Sequence, residues 1–140
     1  MLVRLLYASR TVDAPERTVA QILAAARDKN LRRGVTGVLV CGGPAFLHVL
    51  EGNRRAVSDL YGQIQRDPRH TEVELLSLQD IGERRFGAWA LGVVNVAQVN
   101  PSVLLKYSEV PELDPYSVPG ATSLALIEDL VATAAITCHA

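Results

Sequence analysis

A chain of 140 residues that is 49% apolar and 21% charged has globular composition, not that of a disordered segment. Its length points to one domain that buries roughly two-thirds of the surface its unfolded chain exposes, so neither disulfides nor metals are needed for a core. The net charge of −1 removes any electrostatic argument for nucleic acid or an anionic membrane as partner.

Residues 2 to 9, LVRLLYAS, alternate with Val3, Leu5 and Tyr7 on one face and predict a strand. The spacing then turns helical through residues 11 to 30, with Val19, Ile22, Leu23 and Ala26 as the buried stripe. Asp13 and Glu16 have capping-box spacing, Pro15 suits the first turn, and Gly34 can take the positive φ that ends a helix. VTGVLVCG and AFLHVLEG, joined through Gly43 and Pro44, predict an antiparallel hairpin. In the second of these strands Phe46, His48 and Leu50 share one face and Leu47, Val49 and Glu51 the other. Both faces are apolar, so the strand is expected to be covered on both sides. Asn53 is placed to cap a second helix whose stripe is Val57, Leu60, Tyr61 and Ile64. Residues 72 to 81 and 87 to 96 predict a fourth and a fifth strand, and a final helix is expected from about Thr122 to Thr137.

The order β-α-β-β-α-β plus one strand is an α+β, ferredoxin-like arrangement with two helices on one face of the sheet. The core unit is expected to span residues 1–97. Residues 98–140 then form a C-terminal helical extension that caps the second face or binds a partner. The tail stripe Leu124, Ile127, Leu130 and Val131 serves either that face or an interface with another chain. Cys41 and Cys138 read as two reduced thiols. Arg4 interrupts the apolar N-terminus and Glu128 and Asp129 the apolar tail, so neither a signal peptide nor a membrane span is expected, and the protein is expected to be cytoplasmic.

No phosphate-binding glycine loop, metal-ligand spacing or nucleophile–base constellation is present in the sequence, and no metal site or enzymatic activity is expected. What remains is a polar set directed at the helix side of the sheet: Tyr7 and Ser9 at the end of strand one, Asn30 at the close of helix one, and His48 on strand three. Strands one and three are central neighbours in this fold, so Tyr7 and His48 are expected side by side, satisfying one another and leaving one hydrogen-bonding edge free. A structural Tyr–His pair is the alternative, with Asn30 a helix C-cap and Trp89 a core aromatic.

In their order and separations, RLLYASR, NLRRGVTGVLV, FLHVLEG, VSDLYGQIQRDPRH and RRFGAWALG resemble the BLUF family of flavin-binding blue-light receptors over about residues 2 to 97. The resemblance implies a ferredoxin-like fold with FAD between the two helices, FMN or riboflavin being possible in its place. Tyr7 matches the photoactive tyrosine that donates an electron and a proton, and Asn30 matches the asparagine on the polar edge of the flavin ring. Ile22 would pack on that ring and Phe46 line its pocket; Ser9 and Lys29 fall beside these positions, and Arg69 and His70 near the dinucleotide tail. Trp89 matches the tryptophan of strand five. Four positions depart from the pattern, Lys29 only mildly, since a polar or aromatic-ring residue commonly precedes the asparagine. His48 stands where the family has its switch glutamine, and Ala90 and Leu91 stand where it has serine and methionine. The resemblance, with the departure at His48, thus implies a light sensor with an altered photocycle. The short segment after residue 97 makes contact with a downstream protein the expected mode of signalling, and the apolar tail stripe makes a homo-oligomer the expectation. The alternatives are a redox-responsive flavoprotein that does not photoswitch, and a protein-interaction module without cofactor.

Overall fold

The computed structural model describes residues 1–133 and 135–140. Its element order is β1 (Leu2–Thr11), α1 (Pro15–Ala25), a π-helical turn (Ala26–Asn30), α2 (Leu31–Arg33), β2 (Thr36–Gly42), β3 (Ala45–Asn53), α3 (Arg54–Arg66), β4 (His70–Ile81), β5 (Gly92–Asn95), a 3₁₀ turn (Val96–Gln98), α4 (Pro101–Leu105), α5 (Gly120–Ala132) and β6 (Cys138–His139). The sheet order is β4-β1-β3-β2-β5-β6. The first four strands pair antiparallel, as a ferredoxin-like core requires, whereas β5 joins β2 in parallel.

Every residue of β3 except Asn53 is buried, because both faces of the sheet are covered. On the helix side Val3, Leu5, Tyr7, Leu50 and Val57 form one cluster, and Ala26, Leu39, Phe46 and Leu91 another. On the opposite side Leu6, Val38, Val40, Leu47 and Val49 pack against Leu104, Leu126, Ile127 and Leu130 from α4 and α5. The tail stripe therefore lies on this chain's own sheet.

Four local expectations are corrected. Asp13 and Glu16 form no capping box: the N-cap of α1 is Ala14, which makes no side-chain cap, and Pro15 fills a first-turn position whose N–H would be unpaired anyway. Asn30 is not a helix C-cap, since the helix continues through the π turn into α2 and ends on Gly34, at φ 69°. The fifth strand is short, and Trp89 and Leu91 precede it: the Trp89 carbonyl accepts from Gly37 N, and the Ala90 N–H and Leu91 carbonyl bond Ala140. The final helix stops at Ala132, where the Thr133 hydroxyl turns back to the carbonyls of Asp129 and Leu130. Position 134 of the expected helix lies outside the described residues. Beyond it, Cys138 and His139 add a sixth strand antiparallel to β5. Asn53 caps α3 as expected, its side chain accepting from Arg55 N at 2.9 Å.

One buried charge pair organises the far face. Arg4 and Glu51 are cross-strand partners on β1 and β3 and are 4% and 0% exposed. Arg4 Nε and Nη2 lie 2.8 and 2.7 Å from Glu51 Oε2. The same carboxylate accepts from Arg85 N at 3.1 Å and from Phe86 N at 2.6 Å. Breaking such a pair strands a buried charge at a cost of about 3–5 kcal/mol. We expect Glu51→Leu to lose that much stability in urea unfolding. Adding Arg4→Leu is expected to restore only part of it, because the two backbone donors stay unpaired at about 1–3 kcal/mol each. Full recovery in the double variant would mean that Glu51 does not hold the 85–86 backbone.

Candidate functional site

The register of β1 and β3 sets Tyr7 directly opposite His48. The Tyr7 hydroxyl is 2.8 Å from His48 Nδ1, with ring centroids 5.3 Å apart. Both side chains are buried, at 1% and 3% exposure. The second imidazole nitrogen, Nε2, is buried and has no partner among the described residues.

Above this pair a cleft of about 180 Å³ lies between the α1–α2 helix and α3. Tyr7 and His48 contribute its floor, Ile22, Lys29 and Asn30 one wall, and Leu60 and Ile64 the other. The loop after α3 contributes Asp67, Arg69 and His70. The π turn is what inserts Lys29 and Asn30 here. One extra residue per turn shifts the helix phase, and Asn30 is buried at 7% exposure instead of turning to solvent.

Burial dominates the titration of the floor. It pushes the Tyr7 phenol far up, with Tyr61 and Asp67 adding to the shift, so the hydroxyl keeps its proton. It pushes His48 down to about 3, with His70 adding to the effect, so the imidazole is neutral. A neutral imidazole has one donor and one acceptor nitrogen. If Tyr7 donates to Nδ1, the free Nε2 carries a hydrogen. If Nδ1 donates to Tyr7, Nε2 is an acceptor. His70 is likewise lowered by burial, and its Nδ1 lies 3.1 Å from the Ser9 hydroxyl.

At one end of the cleft Arg69 spans the gap. Its Nη1 donates to Gln21 of α1 at 2.8 Å, and its guanidinium holds Asp67, whose carboxyl is kept below the usual range by that hydrogen bonding.

Of the residues expected from sequence, Tyr7, Ile22, Lys29, Asn30, His48, Arg69 and His70 meet in this cleft. Ser9 stands behind His70. Phe46 lies beneath the His70 ring, 6.0 Å between centroids, in a cluster that also contains Leu91. Trp89 is elsewhere: it packs with the cluster on the opposite face and sits 6.2 Å from the His139 ring. Gln21, Arg33, Gln63 and Asp67 were not singled out in the sequence. Arg33, Gln63 and Asp67 fall inside the motif runs NLRRGVTGVLV and VSDLYGQIQRDPRH, whereas Gln21 is a polar residue whose placement follows from helix phase.

The profile described as "Sensors of blue-light using FAD" (BLUF) matches residues 2–92. The chain is 34% identical over 88 residues to the blue light- and temperature-regulated antirepressor BluF of Escherichia coli, which covers 62% of this chain and 22% of that protein. The chain thus spans about a fifth of the length of that relative. Among solved structures, the photo-activated state of BlsA is similar with a TM-score of 0.83 and 30% identity, over 94% of this chain and 95% of that one. The dark-state structure of BlrB has a TM-score of 0.80 and 31% identity, over 95% and 96%. Among the described residues, no helix is long and apolar enough to cross a membrane.

The burial of His48 predicts a pH effect. Its folded value of about 3 lies below the unfolded value of about 6.5. As pH falls below about 6.5, the unfolded chain binds a proton here that the folded chain refuses, so stability falls, by at most about 1.4 kcal/mol per pH unit from this group. Above pH 7 the effect vanishes. His48→Gln is expected to flatten that part of the slope in urea unfolding measured between pH 7 and pH 4. Equal slopes in both proteins would show that His48 titrates normally.

Proposed function

This chain belongs to the BLUF family of flavin-binding blue-light sensors, and from that premise we propose that its flavin ring lies in the α1–α3 cleft with His48 at the switch position. The observation that carries this reading is the buried, unpartnered Nε2 of His48 on the cleft floor. A buried polar nitrogen left without a partner costs about 1–3 kcal/mol, and a hydrogen-bonding ligand edge removes that cost. The residues fit such a ligand. Asn30 brings an amide donor and acceptor to the same cleft, Ile22 and Ile64 bring apolar surface, and Tyr7 brings a protonated phenol.

When bound, the flavin supplies the absorption of blue light and a ring that accepts an electron and a proton. Tyr7 holds a proton at its hydroxyl, in hydrogen-bond contact with His48 Nδ1. His48 has two hydrogen-bond directions: the tautomer with its hydrogen on Nε2 accepts from Tyr7 and offers the cleft a donor, and the tautomer with its hydrogen on Nδ1 donates to Tyr7 and offers the cleft an acceptor. Glutamine, the family's usual residue here, exchanges donor and acceptor by rearranging its amide. The imidazole is rigid and does so by changing tautomer, so the photocycle differs in kind. Asn30 orients the ring, and the apolar walls exclude water. The C-terminal segment and the sheet's outer edges remain the surfaces for a downstream protein or a second copy, in a protein that works in the cytoplasm.

The purified protein is expected to be yellow and to show a small reversible change in its visible spectrum under blue light. Tyr7→Phe should keep the colour and lose the light response. Asn30→Ala should weaken flavin retention about tenfold, the value of one or two hydrogen bonds. His48→Gln should keep the colour and change the size or recovery rate of the light-induced shift. A colourless protein that takes up no added flavin would overturn the proposal, and a response unchanged by His48→Gln would remove His48 from the switch.

A further inference from the structure

We propose that β6 is a displaceable occupant of the β5 edge, and that an extended segment of a downstream protein, with a large apolar residue opposite Val93, takes its place. This deepens the reading above in which the C-terminal segment meets such a protein, and it rests on that reading. β5 pairs with β2 on one side. Its other edge must be covered, or it offers unpaired backbone groups to any strand. Cys138 and His139 cover it, pairing antiparallel with Val93 and Gly92. The cover is thin. Thr137 N donates to the Val93 carbonyl at 2.9 Å, Ala140 N donates to the Leu91 carbonyl at 2.8 Å, and the Ala140 carbonyl accepts from Ala90 N at 3.1 Å. Both residues of the strand are exposed, so little apolar burial holds it, and it opens at a small fraction of the cost of global unfolding.

The two faces of this edge differ. On the face toward α5 it is full: a Cβ added at Gly92 would stand 3.0 Å from both Ile136 and Trp89, and those two side chains pack on the cluster beneath α5. On the face toward α1 a groove of about 430 Å³ remains beside Cys138, with Val19, Cys41 and Val93 among its walls. A cysteine is too small to fill it. A leucine or phenylalanine at the same register position buries apolar surface that Cys138 leaves open. In an added strand of this kind the main-chain hydrogen bonds supply affinity, and the side chain in the groove supplies specificity. A second copy of this chain brings the same cysteine and gains nothing over the strand already in place. The occupant that fits is therefore a different protein.

The test titrates the full chain with a peptide that copies residues 136–140 and carries Cys138→Leu, and follows amide hydrogen exchange. Bound peptide is expected to strip Ala140 N–H of its protection and to leave Ala90 N–H protected, because the peptide supplies the carbonyl that Ala90 meets. The unaltered copy should bind about fivefold more weakly, and a copy with Thr137→Pro, which lacks the N–H that meets Val93, should not bind. In the full chain Cys138→Leu should weaken peptide binding about fivefold, and Thr137→Pro should strengthen it about as much. Absence of binding at about 1 mM peptide, or binding that leaves Ala140 protected, would overturn the inference. So would a dimer, dependent on protein concentration, in which two copies exchange β6. Each of these leaves the flavin reading intact, since that is read from colour and light response. A colourless protein that still exchanges β6 for the peptide would overturn the flavin reading and keep this inference.

Discussion

A slip of β3 by one residue against β1 would carry His48 to the far face and turn Glu51 into the cleft, away from Tyr7 and Arg4. The antiparallel register that pairs Tyr7 with His48 also pairs Arg4 with Glu51, three residues along. An odd separation on a strand means opposite faces. One register thus sets a neutral polar pair beneath the helices and a charged pair beneath the C-terminal segment. Each pair suits its cover. The charged one is closed by backbone donors of residues 85 and 86, and the neutral one keeps a nitrogen open toward the cleft. The cost of misplacing Glu51 is what makes the register unambiguous in a strand whose two faces are both apolar.

The ferredoxin-like order, the pairing of Tyr7 with His48 and most of the cleft were legible in the sequence, because each rests on local periodicity or on motif spacing. Val19, Ile22, Leu23 and Ala26 announce a helix, and Leu60 and Ile64 announce its partner, whatever the rest of the chain does. The misreadings share a different cause. The strand expected over 87 to 96 is apolar enough, but before Gly92 the Ala90 N–H and the Leu91 carbonyl bond the distant residue Ala140. The final helix has helical spacing to Thr137, yet the free edge of β5 pairs with Cys138 and His139. In both places a long-range partner for the backbone outweighs local propensity. The π turn was invisible for a related reason: its effect is to bury Asn30, and one polar residue in a helix stripe reads as an ordinary cap.

His48 shows how a two-sided core constrains a switch. Burial on both sides of the sheet pushes its pKa to about 3, so a change of charge is not an available signal at neutral pH. What the site can change is the direction of its hydrogen bonds, because Nδ1 is tied to Tyr7 while Nε2 is not. The ring is flanked in register by Tyr7 on β1 and Leu39 on β2. Leu39 in turn pairs with Val93 on β5, and Val93 with Cys138 on β6. One row of cross-strand neighbours therefore runs from the phenol through the imidazole to the last strand, all on the same face. Close-packed neighbours of this kind pass on a displacement more readily than they absorb it. Trp89, on the other face, meets that row only at its end, where its ring approaches His139. The last strand is held to the segment before β5 by the Ala140 N–H on the Leu91 carbonyl at 2.8 Å and the Ala90 N–H on the Ala140 carbonyl at 3.1 Å. A hydrogen-bond reversal at His48 thus has, three strands away, a two-residue strand held by few bonds. That strand is the least costly part of the sheet to move.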